Sequence, residues 1–120
     1  MKLQFEGQRL RVRIDEDELA TLLAGGIVHA RTHAADAFDM LCALSLSEGA
    51  EARIEGAATG WFVHLPQVPV RELATRLPTR DGLSFEIVSR DAARTLSLQF
   101  DVDVRDSARR LKAARNERAS

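Results

Sequence analysis

The chain has 120 residues, of which 45% are hydrophobic and 29% are charged, and its formal net charge is −1 at pH 7. These values are typical of one soluble globular domain, and so small a net charge excludes the electrostatic attraction that carries general binding to nucleic acid or to an anionic membrane. The single cysteine excludes an internal disulfide framework and a cysteine-based zinc site.

No segment approaches the ~20 consecutive apolar residues that cross a bilayer, and the opening MKLQFEGQ lacks the apolar core of a signal peptide. We therefore expect a cytoplasmic location, with neither a membrane nor a nucleic acid as partner. Cys42 lies among Met40, Leu41 and Leu44, which favours a buried and unreactive thiol.

The first predicted element is a β-hairpin. Residues 2–6 alternate between polar and apolar side chains, Gly7 and Gln8 form a turn, and residues 9–14 alternate again. The second strand places three aliphatic side chains on one face and three guanidinium groups on the other. The aliphatic residues are Leu10, Val12 and Ile14, and the guanidinium groups belong to Arg9, Arg11 and Arg13.

A helix follows this hairpin directly. Asp15 suits the N-cap position, and Glu18 three residues later completes a capping box. The pair Gly25 and Gly26 supplies the left-handed stop. The apolar face of the helix consists of Leu19, Leu22 and Leu23.

The middle of the chain is predicted to form strands. Residues 27–32 are rich in β-branched side chains. The segment 34–46 has alanines and leucines that suit a helix, but the strict alternation from Phe38 to Leu46 favours a strand. Residues 51–55 and 61–65 give two further strands, joined by a glycine-containing turn.

The second predicted helix has Pro69 in its first turn and is ended by Pro78. Strands follow at 83–89 and 95–104. For the charged C-terminal tail, 105–120, a solvated extension is favoured over a phosphate-contacting arm. The predicted organisation is therefore a single α+β domain over residues 1–104, followed by that tail.

The second helix repeats part of the first. Residues 72–77 match residues 18–23 at five of six positions, and similar strands surround both segments. An internal duplication of a ββαββ unit (or, shifted by one strand, βαβββ) is therefore predicted. The predicted fold class is α+β, with the two units forming one curled, mainly antiparallel sheet or open barrel that carries two helices on one face.

The opening resembles a family of small, uncharacterised bacterial proteins that begin with a pattern like MK-I-R-x-x-G-N-S-L-R-L-R-L-T-Q-S-E-V, followed by a leucine-bearing helix and a Gly-Gly pair. The matching residues are Met1 to Leu3, Gly7, 10–14, Glu18, Leu19 and 22–26. The likeness covers the first quarter of the chain well and the 83–91 strand weakly. The family has no assigned activity, so the resemblance implies a strand–helix unit in a bacterial cytosol and no particular reaction.

The guanidinium face is the candidate ligand site. Arginine binds phosphate or carboxylate in bidentate geometry, so we predict an anionic ligand held by Arg9, Arg11, Arg13 and Arg53. The alternative is a solvated outer face whose charges form cross-strand ion pairs.

Other chemistry is weakly indicated. His29 and His33 would lie ~13 Å apart on a strand, too far to share one metal ion. His64 with Glu86 or Glu55 is the one candidate metal pair. No nucleophile motif, phosphate loop or strong zinc spacing is present, so we predict no catalytic residues, no metal and no cofactor.

These patterns favour a non-enzymatic binding or self-association domain, expected to form a homodimer, whose arginine face takes a small anionic ligand. The alternative is a barrel-type phosphate-ester or metal-dependent enzyme, because the duplicated module looks like the triphosphate-tunnel and vicinal-oxygen-chelate superfamilies. A triphosphate-tunnel enzyme would carry Glu-x-Glu-x-Lys on its first strand. Here that strand is Lys2-Leu3-Gln4-Phe5-Glu6, which disfavours catalysis.

Overall fold

The computed structural model describes residues 1–104, which contain eight strands and two helices, and the predicted tail 105–120 lies outside the described residues. In chain order the elements are β1 (Lys2–Glu6), β2 (Arg9–Ile14), α1 (Glu16–Leu23), β3 (Val28–Ala34), β4 (Phe38–Ser47), β5 (Arg53–Ala57), β6 (Gly60–Pro66), α2 (Gln67–Thr75), β7 (Leu83–Val88) and β8 (Thr95–Val102).

The α+β class is confirmed, but the prediction of one curled sheet or open barrel is wrong. The described strands form two separate four-stranded sheets. The arginine sheet has the order β1-β2-β8-β7, and the histidine sheet has the order β3-β4-β6-β5. In each sheet two antiparallel hairpins meet through a central parallel pair, β2 with β8 and β4 with β6, so both sheets are mixed.

The two sheets bury their apolar faces in one core. In the arginine sheet the alternation along β2 buries its three aliphatic side chains and leaves its three arginines exposed. The facing core residues of both sheets include Leu10, Val12, Leu44, Val63, Leu98 and Phe100. A ring contact links the two sheets outside the buried core, because the rings of the exposed Phe5 on β1 and of Trp61 on β6 have centroids 5.6 Å apart in an edge-on arrangement.

The helices connect the sheets, and they do not cover one face of a single sheet as predicted. Helix α1 leads from β2 in the arginine sheet to β3 in the histidine sheet, and α2 leads from β6 back to β7. Their apolar residues join the same core, with Leu22 and Leu73 fully buried. The reason is geometric: two helices of eight and nine residues cannot cover eight strands, whereas a second sheet can.

Several local predictions are confirmed. The capping box is present, because the Glu18 amide donates to Asp15 Oδ1 at 2.7 Å and the Asp15 amide donates to Glu18 Oε1 at 3.1 Å. The ambiguous segment is strand β4. Helix α2 has Pro69 in its first turn, as predicted, and it ends at Thr75, before Leu77, which was expected on its inner face. The element order of residues 2–47 is repeated in residues 53–102, and the internal duplication stays a prediction.

Within residues 1–104, neither helix has the length and apolar character that crossing a membrane requires.

The β5–β6 hairpin supplies a matched pair of glycines for testing the fold. Gly56 has φ +129°, and a methyl group there would lie 2.5 Å from the Gly60 carbonyl oxygen and 2.7 Å from Trp61 Cα. We expect Gly56→Ala to lower the free energy of unfolding by about 2–3 kcal/mol, because it adds backbone strain and a steric clash.

Gly60→Ala is the control, because its added methyl group would lie 3.8 Å from the nearest atom, the Leu41 carbonyl oxygen, in ordinary contact. We expect that variant to stay within about 0.5 kcal/mol of the parent in urea unfolding. Equal effects of the two substitutions would contradict the described hairpin.

The buried thiol gives a second test. Burial raises the pKa of the Cys42 thiol to about 12, so the thiolate is nearly absent in the folded state at mildly alkaline pH. We expect native protein to react slowly with a disulfide reagent, and the rate in urea to rise along the unfolding transition. Rapid reaction without denaturant would contradict the burial of Cys42.

Candidate functional site

The outer face of the arginine sheet carries polar side chains from all four strands. Cross-strand register arranges them in three rows, each running across the sheet. The rows are Glu6–Arg9–Ser97–Glu86, Gln4–Arg11–Gln99–Ser84, and Lys2–Arg13–Asp101. In this register each of the three arginines of β2 lies next to a polar group of β8, namely a hydroxyl, an amide and a carboxylate.

A groove of about 330 Å³ lies over the first two rows. It is lined by long side chains of β1 and β2 and by the short Ser84 and Ser97. The Ser97 hydroxyl donates to Glu86 Oε1 at 2.9 Å, so the carboxylate at that edge is already partly satisfied. The groove is therefore polar, open to solvent and bounded by one carboxylate at each edge of its outer row.

Arg11 is the fixed centre of this face. Its Nε donates to Asp101 Oδ2 at 2.7 Å, and Asp101, with 7% of its surface exposed, is the one buried charged residue in the described part of the chain. Gln99 Nε2 lies a further 3.4 Å from the other carboxylate oxygen of Asp101. Asp101 engages only Nε of Arg11, so the two terminal nitrogens of this groove-lining residue keep their capacity to donate.

Arg9 and Arg13 are exposed and form no ion pair with any residue in 1–104. Arg13 borders a second, larger groove of about 540 Å³ on the side of the loop that follows α2. Arg80 and Asp81 of that loop line the same groove. Arg11 is thus flanked on both sides by guanidinium groups that have no ion-pair partner among residues 1–104.

Arg53 lies apart from the other predicted site residues. It belongs to β5, where it pairs in register with His64 on the histidine sheet. The structure therefore brings Arg9, Arg11 and Arg13 together and leaves Arg53 on the other sheet. The sequence could not assign Arg53, because nothing in a hairpin pattern says which sheet the hairpin will join.

The outer face of the histidine sheet carries a chain of hydrogen bonds centred on His64. Its Nε2 lies 2.7 Å from Glu55 Oε1, and its Nδ1 lies 3.0 Å from the Ser45 hydroxyl. Of the two predicted pairings, His64 with Glu55 is formed, whereas Glu86 lies on the arginine sheet. Sequence reasoning missed Ser45, whose partner is set by the parallel register of β4 with β6.

The remaining histidines lie on the exposed edge strand β3. His33 Nδ1 approaches Asp39 Oδ1 at 3.5 Å, and Arg31 binds the same carboxylate through two nitrogens. The hydrogen bond from Arg31 holds the pKa of Asp39 below its usual value. No group of three or more histidine, cysteine or carboxylate side chains in residues 1–104 is arranged to hold a metal ion.

The Arg11–Asp101 pair can be tested by stability. We expect Arg11→Ala to lower the free energy of unfolding by about 1–3 kcal/mol, because it leaves a buried carboxylate without its charged partner. Arg9→Ala, which removes an unpaired guanidinium from the same strand, should change it by less than about 0.5 kcal/mol.

A double variant separates the effect of losing the Arg11–Asp101 hydrogen bond from the effect of leaving the buried Asp101 carboxylate without a cationic partner. Adding Asp101→Asn to Arg11→Ala should recover part of the stability, because the buried group is then neutral. Additive losses in urea unfolding would mean that the pair is not coupled as described.

We compared the chain with models of known protein families, with curated proteins and with solved structures, and none of the three comparisons gave a match. The resemblance of its opening to small bacterial proteins has no counterpart among these findings.

Proposed function

We propose that the arginine sheet of this chain provides a non-enzymatic binding site, which takes a small anionic ligand in the groove on its outer face. The observation that carries the proposal is the pair of cationic donors at adjacent outward positions of β2. Arg9 has no ion pair within residues 1–104, and Arg11 offers its terminal nitrogens while Asp101 fixes its position.

The spacing of these donors suits a compact anion. Outward residues two apart on a strand lie about 7 Å apart at Cα, so two arginine side chains can converge on one phosphate or carboxylate. A guanidinium held by a carboxylate loses less conformational entropy on binding than a free one, because its orientation is already set. Arg11 therefore sets the orientation of the bound anion, and Arg9 provides the second cationic contact.

The rest of the groove narrows the ligand class. Ser97 and Gln99 present hydroxyl and amide groups beside the arginines, and Glu6 and Glu86 lie at the two edges. A purely anionic ligand would be repelled by those edges. The groove thus favours a small phosphate or carboxylate that also carries hydroxyl or amino groups able to donate to the glutamates.

The barrel-type enzyme is the alternative, and the geometry gives it less support. A tunnel enzyme requires its cationic strand faces to point into an enclosed lumen, whereas here Arg9, Arg11 and Arg13 lie on the exposed outer face of an open sheet. The described strands that bear them supply binding donors without the alternating carboxylates expected beside a catalytic metal.

We also propose that two copies associate along strand β7. This edge strand is regular over six residues, contains neither glycine nor proline, and carries one charge, Glu86. Edges of this kind pair readily with another chain. In an antiparallel pair centred on Phe85, Ser84 would face Glu86 of the partner subunit twice, so the strand is complementary to itself.

Ligand binding is tested by thermal shift with a panel of inorganic phosphate, a sugar phosphate, a hydroxycarboxylate and an amino acid. A ligand at one hundred times its Kd adds about 2.7 kcal/mol to the stability, which moves the melting temperature measurably. We expect stabilisation by at least one phosphate or carboxylate and its loss in Arg9→Ala.

Arg53→Ala is the matched control, because it removes an exposed arginine from the other sheet. It should leave the ligand-induced shift unchanged. A shift that survives Arg9→Ala, or one that disappears in Arg53→Ala alone, would place the anion elsewhere, and no shift with any member of the panel would contradict the proposal.

Self-association is tested by light scattering on two variants that place opposite charges at position 84. Ser84→Glu would place a carboxylate opposite Glu86 of the partner subunit and should shift the equilibrium towards monomer. Ser84→Lys would place an ammonium there and should shift it towards dimer. A parent protein that is monomeric at tens of micromolar, or equal effects of both variants, would rule out pairing along β7.

A further inference from the structure

The histidine sheet carries a second site whose chemistry differs from that of the arginine groove. Three side chains on its outer face form one continuous hydrogen-bonded chain, Ser45 to His64 to Glu55. Ser45 and His64 are partly buried, and 60% of the Glu55 side chain is exposed. The three come from three adjacent strands, β4, β6 and β5, so the backbone ladder holds them in position.

The order of the hydrogen bonds fixes what each group does. An ionised Glu55 is an acceptor only, so Nε2 donates to it at 2.7 Å, and in the neutral imidazole Nδ1 is then unprotonated. Nδ1 then accepts from the Ser45 hydroxyl at 3.0 Å. A serine, an imidazole base and a carboxylate that orients the base are the parts of an activated nucleophile, here with the two ring nitrogens exchanged.

An apolar surface adjoins this chain on the same face. The Phe62 ring stacks on the His64 ring at a centroid distance of 6.2 Å and an interplanar angle of 9°. Phe62 and Leu41 remain 45% and 40% exposed, and Ala43, which pairs in register with Phe62, separates Leu41 from Ser45 along β4. Large apolar side chains exposed next to a polarised hydroxyl are suited to the acyl or aryl part of an uncharged ester.

We propose that Ser45 accepts an acyl group from small apolar esters, with His64 as general base and Glu55 as the residue that positions it. The Ser45 oxygen bonds to the ester carbonyl carbon as its proton passes to His64 Nδ1, and the bond to the alkoxy or aryloxy group breaks. That group leaves as the alcohol when it takes the proton from His64. Water, deprotonated by the same nitrogen, then releases the carboxylic acid and restores the serine.

The expected rate is modest. The backbone amides around Ser45 belong to the sheet ladder, so they cannot converge on a developing oxyanion as they do in efficient acyl transferases. The acceleration is then that of positioned base catalysis, about 10²–10⁴-fold over water. This activity is independent of the anion groove, because it uses none of the residues of the arginine sheet.

The test uses 4-nitrophenyl acetate and the full chain. We expect release of nitrophenolate together with a single acetyl group located by mass spectrometry on Ser45. Ser45→Ala should lose the acetyl group and at least 10-fold of the rate. Glu55→Gln should lower the rate and change its dependence on pH, because the imidazole tautomer is no longer fixed by a carboxylate.

Two controls make the result decisive. Ser47→Ala removes a hydroxyl from the same face of β4, two residues along the strand and bonded to the Leu65 carbonyl, and it should leave the rate within about twofold. His64→Ala should lose as much activity as Ser45→Ala. A rate that falls in His64→Ala but not in Ser45→Ala would mean that the imidazole acts alone, and acetylation at any other residue, or none at all, would likewise overturn the assignment.

Discussion

Burial of the aliphatic face of one sheet against the aliphatic face of the other is the constraint on which the rest of the structure depends. Each fully buried leucine, valine or phenylalanine side chain contributes about 1.5–3 kcal/mol when it leaves water. The core draws such residues from every one of the four central strands and from both helices. Because the side chains of a strand alternate, burying one face of each sheet necessarily turns the other face outward. Both polar faces are therefore exposed, and each carries its own chemistry.

The two outer faces differ because their central strands differ. In the arginine sheet, β2 presents a guanidinium group at every outward position, and the residues of β8 in register with them are Ser97, Gln99 and Asp101. In the histidine sheet, the parallel register of β4 with β6 sets Ser45 beside His64. One face therefore presents three guanidinium groups, on which the proposed anion site rests, whereas the other places the Ser45 hydroxyl and the His64 ring beside the exposed Phe62 ring. Neither arrangement follows from composition alone, since the chain as a whole is nearly neutral.

Local features of the fold could be predicted from the sequence, whereas the pairing of distant segments could not. The alternation of residues 9–14, the capping box of Asp15 with Glu18 and the strand at Phe38–Ser47 depend on neighbours a few residues away, and all three are present. The division into two sheets depends on which hairpins meet. Hairpin β1–β2 joins the last hairpin, not the next one, and nothing in its own pattern says so. For the same reason the sequence does not indicate that Arg53 lies on the histidine sheet or that Ser45 lies beside His64.

The pairing of β2 with β8 has a consequence for how the chain acquires its structure. Arg11 and Asp101 are 90 residues apart, and the strand pair that joins them is the centre of the arginine sheet. Contacts of such long range form late, because bringing the two strands together costs the intervening segment much of its conformational entropy. During synthesis the β1–β2 hairpin therefore has no partner strand for β2, and its aliphatic side stays exposed, until nearly the whole described chain has left the ribosome. The histidine sheet, whose four strands lie within residues 28–66, can assemble before it and serve as the surface on which the arginine sheet forms.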